Sequence, residues 1–475
     1  MLAMYKEVDV PLKKRLHSLL VRMPIINEVA DAIRARGGHA YLVGGAVRDL
    51  VLGLPLKDVD IEVHNLSLDA LASLLQEYGS VDYVGKTYGV LKLKDPRRAH
   101  IDWSVPRRDK AGRKPEVEID TSLDIKTALA RRDLTMNAMA IDIHELALID
   151  PFDGLVDIEQ KVLRCIDPDV FVEDPLRFYR IMQFIGRFDM LPDEQLRRVC
   201  KSMDISNVAR ERIEDECAKL LLKSFWPSRG IRWIAEIGRL QEILPELYTT
   251  TKTDQGALWH PEGTVFEHTM QALDAAAHIV IPGTQQRLMV LYGVLCHDLG
   301  KPEATVVHKD GKISSGGHER VGVPIAKRMM KRITGNTNLI QGIAVLVRYH
   351  MEPPIYGKKN VRLYKYKELA QDLAPLINCY TLTLLSYADR LGRYGGGLHP
   401  MMHDVPDLDT FLQQAQRAGV LFGPEEAILT GADIRDEFEE GPHIGKVLEA
   451  AYTIQIREGV ADKRTLKQRA IQTVK

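Results

Sequence analysis

Cysteine is scarce in this chain. The five cysteines among 475 residues, at positions 165, 200, 217, 296 and 379, form no C-x-x-C pair. That argues against a disulfide framework and for reduced thiols in a cytosol-like compartment. Long apolar runs are lacking too: Leu288 to Cys296 is too short to span a bilayer, and no secretory apolar segment is evident. No membrane association is expected. The amphipathic stretch Met1 to Arg22, basic at Lys13, Lys14, Arg15 and Arg22, has one feature of a targeting peptide, but Glu7 and Asp9 weigh against that reading. The expected compartment is the cytoplasm. A surplus of either charge is missing as well, since 64 basic and 65 acidic residues leave a formal charge of −1. No global basic field therefore advertises a nucleic-acid partner.

Local fields are present instead. Residues 97 to 114 contain Arg97, Arg98, Arg107, Arg108, Lys110, Arg113 and Lys114 against Asp102 and Asp109. Lys358, Lys359, Arg362, Lys365 and Lys367 form a second run with Tyr364 and Tyr366 interleaved. Basic side chains alternating with aromatics suit a phosphate backbone with stacked single-stranded bases, although solvated faces look the same. With 45% hydrophobic residues the chain can bury a sizeable core, and its length points to about three domains.

The first chemical motif lies near the N-terminus. Tyr41-Leu42-Val43 reads as a short strand, and Gly44-Gly45 removes both Cβ atoms where the backbone must turn and could approach a phosphate. Ala46 to Leu52 reads as a helix stopped by Gly53 and Pro55. In the following strand Val59, Ile61 and Val63 alternate with Asp58, Asp60 and Glu62, which places the three acids on one face. Their mutual repulsion calls for a divalent cation, and hard carboxylate oxygens suit Mg²⁺. A solvated strand face is the plainer alternative.

Gly44-Gly45 with Arg48-Asp49, Asp58-x-Asp60, the run Arg131-Arg132-Asp133-Leu134-Thr135-Met136-Asn137-Ala138 and the run Glu173-Asp174-Pro175-Leu176-Arg177 stand in a familiar order. Over residues 25 to 250 the chain resembles class II tRNA nucleotidyltransferases and bacterial poly(A) polymerases, members of the DNA polymerase β-like superfamily. The resemblance implies that Asp58 and Asp60 hold two Mg²⁺ ions, which orient a nucleoside triphosphate and activate the 3′-hydroxyl of an RNA primer. A third acidic position falls on Asp102 in His100-Ile101-Asp102-Trp103. It also implies nucleotide contacts from Gly44, Gly45, Arg48, Arg131, Arg132, Asp133, Asn137, Asp174, Arg177 and Arg180. Of these, Arg132, Asp133 and Asn137 would lie near ribose and phosphates, where an amide and a carboxylate can read the 2′-hydroxyl. The implied partners are tRNA, CTP and ATP.

Glu173-Asp174-Pro175 reads as the start of a helix, with Phe178, Ile181, Met182 and Ile185 as its apolar stripe. Asp174 and Arg177 share another face. In the resembling family this pair imitates a Watson–Crick edge and selects CTP and ATP without a template; a plain i, i+3 ion pair is the alternative. Family members that add the full CCA end carry a flexible loop before the Arg131 run, and here Lys110 to Val117 is several residues shorter. Because Gly112-Arg113-Lys114-Pro115 retains the glycine, basic pair and proline, complete CCA addition is expected, with CC-only or poly(A) addition as variants.

A second resemblance begins near His260. Glu267-His268, His297-Asp298-Leu299-Gly300-Lys301, Gly317-His318-Glu319-Arg320, Tyr349-His350 and Ala388-Asp389-Arg390 follow the order of the HD phosphohydrolase superfamily. It implies His268, His297, Asp298 and Asp389 as ligands of one ion, and His318 and His350 as ligands of a second. Mixed His and Asp ligands suit Mg²⁺, Mn²⁺, Ni²⁺ or Co²⁺, so the spacing does not name the metal. Such an ion lowers the pKa of bound water and directs hydroxide at phosphorus.

The expected fold is α+β, because short strands alternate with helices up to about residue 165 and helical periodicity dominates after it. In the terms of the resemblance, 25–165 is a polymerase β-like nucleotidyltransferase head (palm) with a mixed sheet, 166–250 a helical neck that binds nucleotide and RNA, 251–400 the HD domain and 401–475 a helical tail. Leu429 to Ile434 and Gly441 to Lys446 resemble the closing segment of the transferase family, which supports the tRNA elbow. Lys463, Arg464, Lys467 and Arg469 could contact phosphate there, or coat a solvated terminal helix. The expected activity is addition of CMP and AMP to the tRNA 3′ end together with an HD phosphohydrolase. The runner-up is an HD nucleotide or RNA phosphohydrolase whose head only binds RNA. The sequence leaves the oligomeric state open.

Overall fold

The computed structural model describes residues 5–6, 9–56, 58–83, 89–94, 100–110, 116–359, 361–393, 404–435 and 442–474. The chain divides into two compact units, Met1–Val208 and Ala209–Lys475.

In the first unit the strands are β1 (Tyr5–Lys6), β2 (His39–Val43), β3 (Val59–His64), β4 (Ser80–Tyr83), β5 (Val90–Lys94), β6 (His100–Ser104), β7 (Arg107–Lys110), β8 (Glu116–Ile119), β9 (Ala140–Asp142), β10 (Leu148–Ile149) and the short parallel pair β11 (Val162–Leu163) and β12 (Leu191–Pro192). Eight of them form one sheet in the order β1-β10-β9-β2-β3-β6-β5-β4, and β7 and β8 make a separate hairpin. Within the large sheet β3 and β6 run parallel while the other neighbours are antiparallel, so the sheet is mixed, as expected. The helices are α1 (Val10–Arg22), α2 (Ile25–Ala35), α3 (Gly45–Leu52), α4 (Leu68–Gln76), α5 (Ile125–Ala130), α6 (Gly154–Glu159), α7 (Pro168–Val172), α8 (Leu176–Phe188) and α9 (Glu194–Ser202). α2 and α4 pack together and bury Ile26, Val29 and Ile33 with Leu71, Leu74 and Leu75, residues spaced to share one helix face. Pro175 precedes the first turn of α8, and its stripe of Phe178, Ile181, Met182 and Ile185 is buried as the spacing predicts.

The second unit is helical apart from one short antiparallel pair, Val306–Val307 with Ile313–Ser314. It runs through α10 (Arg210–Lys223), α11 (Ser228–Glu236), α12 (Leu240–Ile243), α13 (Pro245–Thr250), α14 (Val265–His278), α15 (Thr284–Cys296), α16 (Lys301–Ala304), α17 (His318–Ile333) and α18 (Thr337–Tyr349). It continues with α19 (Glu352–Lys358), α20 (Leu363–Leu373), α21 (Cys379–Leu391), α22 (Pro406–Arg417), α23 (Pro442–Glu458) and α24 (Lys463–Val474). Val290 to Cys296 is buried without interruption, which makes α15 the central helix, in contact with α14, α18 and α21. α23 and α24 pair as a hairpin over their own core of Val447, Ala451, Leu466 and Ala470. Among the described residues no helix is long and apolar enough to cross a membrane.

Candidate active sites of the two units

β2 ends at Val43 and α3 begins at Gly45, so the chain must reverse at Gly44, whose φ is +68°. A Cβ on Gly44 would lie 2.3 Å from Arg132 Nη1, so this guanidinium rests against bare backbone. Arg48, in the first turn of α3, is buried. Its Nε donates to Asp49 Oδ1 at 2.8 Å, its Nη1 donates to Asn137 Oδ1 at 2.6 Å, and its guanidinium lies 4.6 Å from the centre of the Phe188 ring. Asn137 Nδ2 donates in turn to Asp133 Oδ1 at 2.8 Å, and Arg180 Nε to Asp133 Oδ2 at 2.7 Å. Arg48, Asn137, Asp133 and Arg180 thus form one connected network. Burial pushes the Asp133 carboxyl up, but Arg180 and Asn137 outweigh it and hold it at about 2.

Asp60 and Asp102 stand opposite each other in the parallel register of β3 and β6, and Asp58 is exposed just before β3. Burial pushes the Asp60 carboxyl up; Arg132 opposes this, and Asp102 and Asp58 add to it. Lys92 Nζ is 3.6 Å from Asp102 Oδ1. Carboxylates gathered with too little protein cation make the donor set a hard divalent ion satisfies. Glu62 departs from the expectation of an open acidic face. It is 1% exposed, its Oε1 lies 3.1 Å from His64 Nε2, and Arg131 Nη2 donates to its Oε2 at 3.4 Å. Protein groups answer this acid, and although burial pushes it up, His64, Arg132 and Arg131 hold it at about 2.

Arg177 Nη1 donates to Val170 O at 2.6 Å and Nη2 to Arg131 O at 2.8 Å, which ties α8 to the Arg131 run. Asp174 Oδ1 accepts from Leu176 N at 3.1 Å, at the start of the same helix. Residues 111–115 of the shortened loop, with Arg113 and Lys114, lie outside the described residues, as do Arg97 and Arg98.

In the second unit the expected ligands converge from α14, α15, α17, α18 and α21. His297 and Asp298 follow the last turn of α15, and the chain there must approach α17 closely: a Cβ on Gly300 would lie 2.1 Å from His318 O. That approach brings Asp298 to His318. His268 Nε2 is 3.0 Å from Asp389 Oδ1, 3.3 Å from His297 Nε2 and 3.7 Å from Asp298 Oδ2. The other oxygen, Asp298 Oδ1, is 3.2 Å from His318 Nε2 and 4.0 Å from His350 Nε2, and those two nitrogens are 3.1 Å apart. Asp298 therefore faces two donor sets, one through each oxygen. All six side chains are buried.

Residues outside the expected set complete the centre. Lys301 Nζ is 2.7 Å from Asp298 Oδ2, and Arg393 Nη2 donates to both oxygens of Asp389 at 2.8 and 2.9 Å. Their offsets of three and four residues from ligands on helical segments are a signal the sequence carried. Burial pushes both ligand carboxyls up, but His297 and Lys301 beside Asp298, and Arg393 and His268 beside Asp389, hold them well below the usual range. Burial, with His318 and His297 nearby, lowers His350 to about 3, which keeps that imidazole neutral and able to ligate. A cavity of about 260 Å³ opens on Asp298, His318, His350 and Asp389, with Trp259 at its lining. Trp259 is 63% exposed and the adjacent Leu258 84%.

The second basic run behaves differently from a stacking strip. Tyr366 is buried with its ring 5.3 Å from that of Phe411, Lys365 pairs with Glu368, and Lys367 pairs with Glu425.

Residues 40–164 match the poly A polymerase head domain family. A multifunctional CCA protein of Pasteurella multocida (strain Pm70) is 32% identical over 303 residues, covering 62% of this chain and 69% of the relative. One of Methylobacillus flagellatus is 34% identical over 316 residues, covering 65% and 73%. Among solved structures, the Thermotoga maritima CCA-adding enzyme complexed with tRNA aligns over 99% of this chain and 100% of that one, with a TM-score of 0.59 and 18% identity. At that identity the likeness speaks for the fold.

Proposed function

Because this chain belongs to the family of multifunctional CCA proteins, we propose that Asp58, Asp60 and Asp102 are the carboxylates of its nucleotidyl-transfer centre. The protein is a template-independent tRNA nucleotidyltransferase that adds CMP and AMP to the 3′ end of tRNA from CTP and ATP. It uses a divalent metal, generally Mg²⁺, which when bound neutralises the triphosphate and activates the primer hydroxyl. The observation that carries the residue assignment is the Asp60–Asp102 register beside the Gly44 turn. Arg132, packed over Gly44, offers its donors to phosphate, and the Arg48–Asn137–Asp133–Arg180 network fixes the wall that meets the ribose. Asp174 and Arg177 are assigned to base choice. We retain 25–165 as head, 166–250 as neck, 251–400 as HD domain and 401–475 as tail, and place the protein in the cytoplasm, in keeping with its five free thiols, four of them buried.

The test is incorporation of CTP and ATP into tRNA lacking its 3′ end. Asp60→Asn should reduce it on the order of a thousandfold. The unfolding temperature should be unchanged or higher, because the substitution removes a charge that burial and two neighbouring acids disfavour. A normal rate in this variant would sink the assignment.

For the second unit we propose a metal-dependent phosphohydrolase, carried by the two donor sets that share Asp298. The donors fit Mg²⁺, Mn²⁺, Ni²⁺ or Co²⁺, and an ion bound there supplies an activated water for attack at phosphorus. Lys301 and Arg393 keep the ligand carboxylates ionised, and exposed Trp259 offers a face on which a nucleobase can stack. His297→Ala with Asp298→Ala should abolish hydrolysis of nucleoside phosphates and leave nucleotide addition intact. Hydrolysis that survives the double substitution would exclude this centre.

A further inference from the structure

Three histidines of the second centre are aimed in one way. Nδ1 of His297, His318 and His350 donates to the carbonyl three residues earlier: Val294 O at 2.7 Å, Ser315 O at 2.7 Å and Val347 O at 2.8 Å. Each sits at a helix end, where such carbonyls are within reach: His297 and His350 cap α15 and α18, and His318 opens α17.

His268 lies inside α14 and lacks that option. The carbonyls behind it are engaged, Thr264 O by His268 N at 3.1 Å and Val265 O by Thr269 Oγ1 at 2.8 Å. Its Nδ1 lies instead 2.8 Å from Glu262 Oε1. Glu262 comes from the turn ahead of the helix, closed where Gly263 N donates to His260 O at 3.2 Å, and Thr264 Oγ1 caps α14 by accepting from Glu267 N at 3.2 Å. The turn sends the Glu262 side chain inward until it is 0% exposed. The same Oε1 is 2.8 Å from Nδ1 of His260, which lines the cavity. Oε2 of Glu262 has no hydrogen-bond partner among the described residues. Glu262 Oε1 thus hydrogen-bonds His260 and makes an ionic contact with His268, whose Nδ1, like Glu262 Oε2, completes no hydrogen bond among the described residues; a buried carboxylate used in this way is a poor device for folding alone.

We propose that Glu262 is a positioning residue of this centre: it aims His268 Nε2 at Asp298 and Asp389, and through the same oxygen it holds His260 at the cavity wall. The inference rests on the phosphohydrolase reading of the second unit. It gives the metal ligand and a substrate-facing ring a common anchor. With Nδ1 of His260 engaged, Nε2 is the nitrogen left for substrate, and in the neutral ring it is an acceptor suited to a sugar hydroxyl.

The test uses the full-length protein and Co²⁺, titrated and followed by its visible absorption. Glu262→Gln should weaken Co²⁺ binding about 10- to 100-fold and alter the spectrum, while nucleotide addition by the first unit stays unchanged. Glu262→Asp, which keeps the charge, should recover part of the affinity. His260→Ala should weaken Co²⁺ binding less than Glu262→Gln and raise KM for a nucleoside monophosphate, since its ring packs edge-on against His268, 4.9 Å between centroids, without contributing the carboxylate that faces His268 Nδ1. Wild-type Co²⁺ binding with an unaltered affinity and spectrum in Glu262→Gln overturns this inference alone. Loss of Co²⁺ in His260→Ala as severe as in Glu262→Gln overturns the division of roles. A wild-type protein that binds no Co²⁺ overturns the metal-centre reading and this inference with it.

Discussion

His318 Nε2 lies 3.1 Å from His350 Nε2, and each ring gives its Nδ1 hydrogen to a backbone carbonyl, Ser315 O and Val347 O. A carbonyl can only accept, so Nε2 of a neutral ring carries a lone pair, and the facing nitrogens need a cation: a metal ion, or a proton on His318, whose imidazole burial pushes down but the adjacent Asp298 lifts above its ordinary value. Two facing lone pairs in a buried site repel unless a cation stands between them or beside both. Chelation should therefore lower the unfolding temperature of the second unit, and Mn²⁺, Co²⁺ or Ni²⁺ should restore it. At a metal concentration about a hundredfold above Kd the stabilisation is about 2.7 kcal/mol. Scanning calorimetry with and without chelator measures it, and identical traces would exclude a bound ion.

That the six side chains of this centre come together was legible in their order, but their grouping was not. Sequence spacing places His297-Asp298 beside each other; that Asp298 faces two donor sets depends on how closely Gly300 lets the chain approach α17, which is a packing distance. Glu262 left no periodic trace because it lies in a turn. In the head, alternation along β3 holds for Asp60 and Glu62, while Asp58 lies just before the strand; alternation could not say what covers that face, and Arg131 arrives from a remote segment to cover Glu62. The buried stripe of α8 was readable because 3.6-residue spacing fixes a helix face directly. The run holding Tyr366 suited stacked bases and a solvated face alike, and neither reading foresaw its burial, because its partner Phe411 sits on another helix, α22.

Gly44→Ala tests the head turn. The positive φ costs an alanine about 1 kcal/mol or more, and its Cβ would displace the Arg132 guanidinium 2.3 Å away. If Arg132 meets phosphate, KM for CTP and for ATP should rise together by about 10- to 100-fold, the loss of a charged hydrogen bond. Steady-state kinetics decides it; an unchanged KM would remove Arg132 from the triphosphate site.

Asp133 sets an acid limit on the same wall. Its carboxyl is held at about 2 against an ordinary 3.8, so the folded state binds the proton less readily than the unfolded one. Its contribution, on the order of 2 kcal/mol, is complete above the unfolded pKa and is lost as the pH falls through about 2. The stability gap between wild type and Asp133→Asn, followed by hydrogen exchange of α8 amides, should be widest above pH 4 and narrow towards pH 2. A gap constant with pH would show that Asp133 acts through shape and not charge.

Base choice separates the two readings of Arg177. Its bonds to Val170 O and Arg131 O hold α8 against the Arg131 run, so Arg177→Ala must cost stability, by roughly 1.5–3 kcal/mol for each charged hydrogen bond left unmade. A purely structural role would then lower kcat/KM for every nucleotide alike. If Arg177 and Asp174 also present an edge to the base, Arg177→Ala with Asp174→Ala should erode the preference for CTP over UTP by about tenfold or more while triphosphate binding changes less, because the proposed reading gives the phosphates to Arg132 and the metal. Arg177→Lys is the control: it keeps the charge but loses the fork that spans two carbonyls, so it should fall between wild type and the alanine variant in both stability and selectivity. Competition between CTP and UTP on tRNA lacking its 3′ end gives the ratio directly, and a CTP preference that survives both alanines intact would leave Arg177 as a strut between helix and loop.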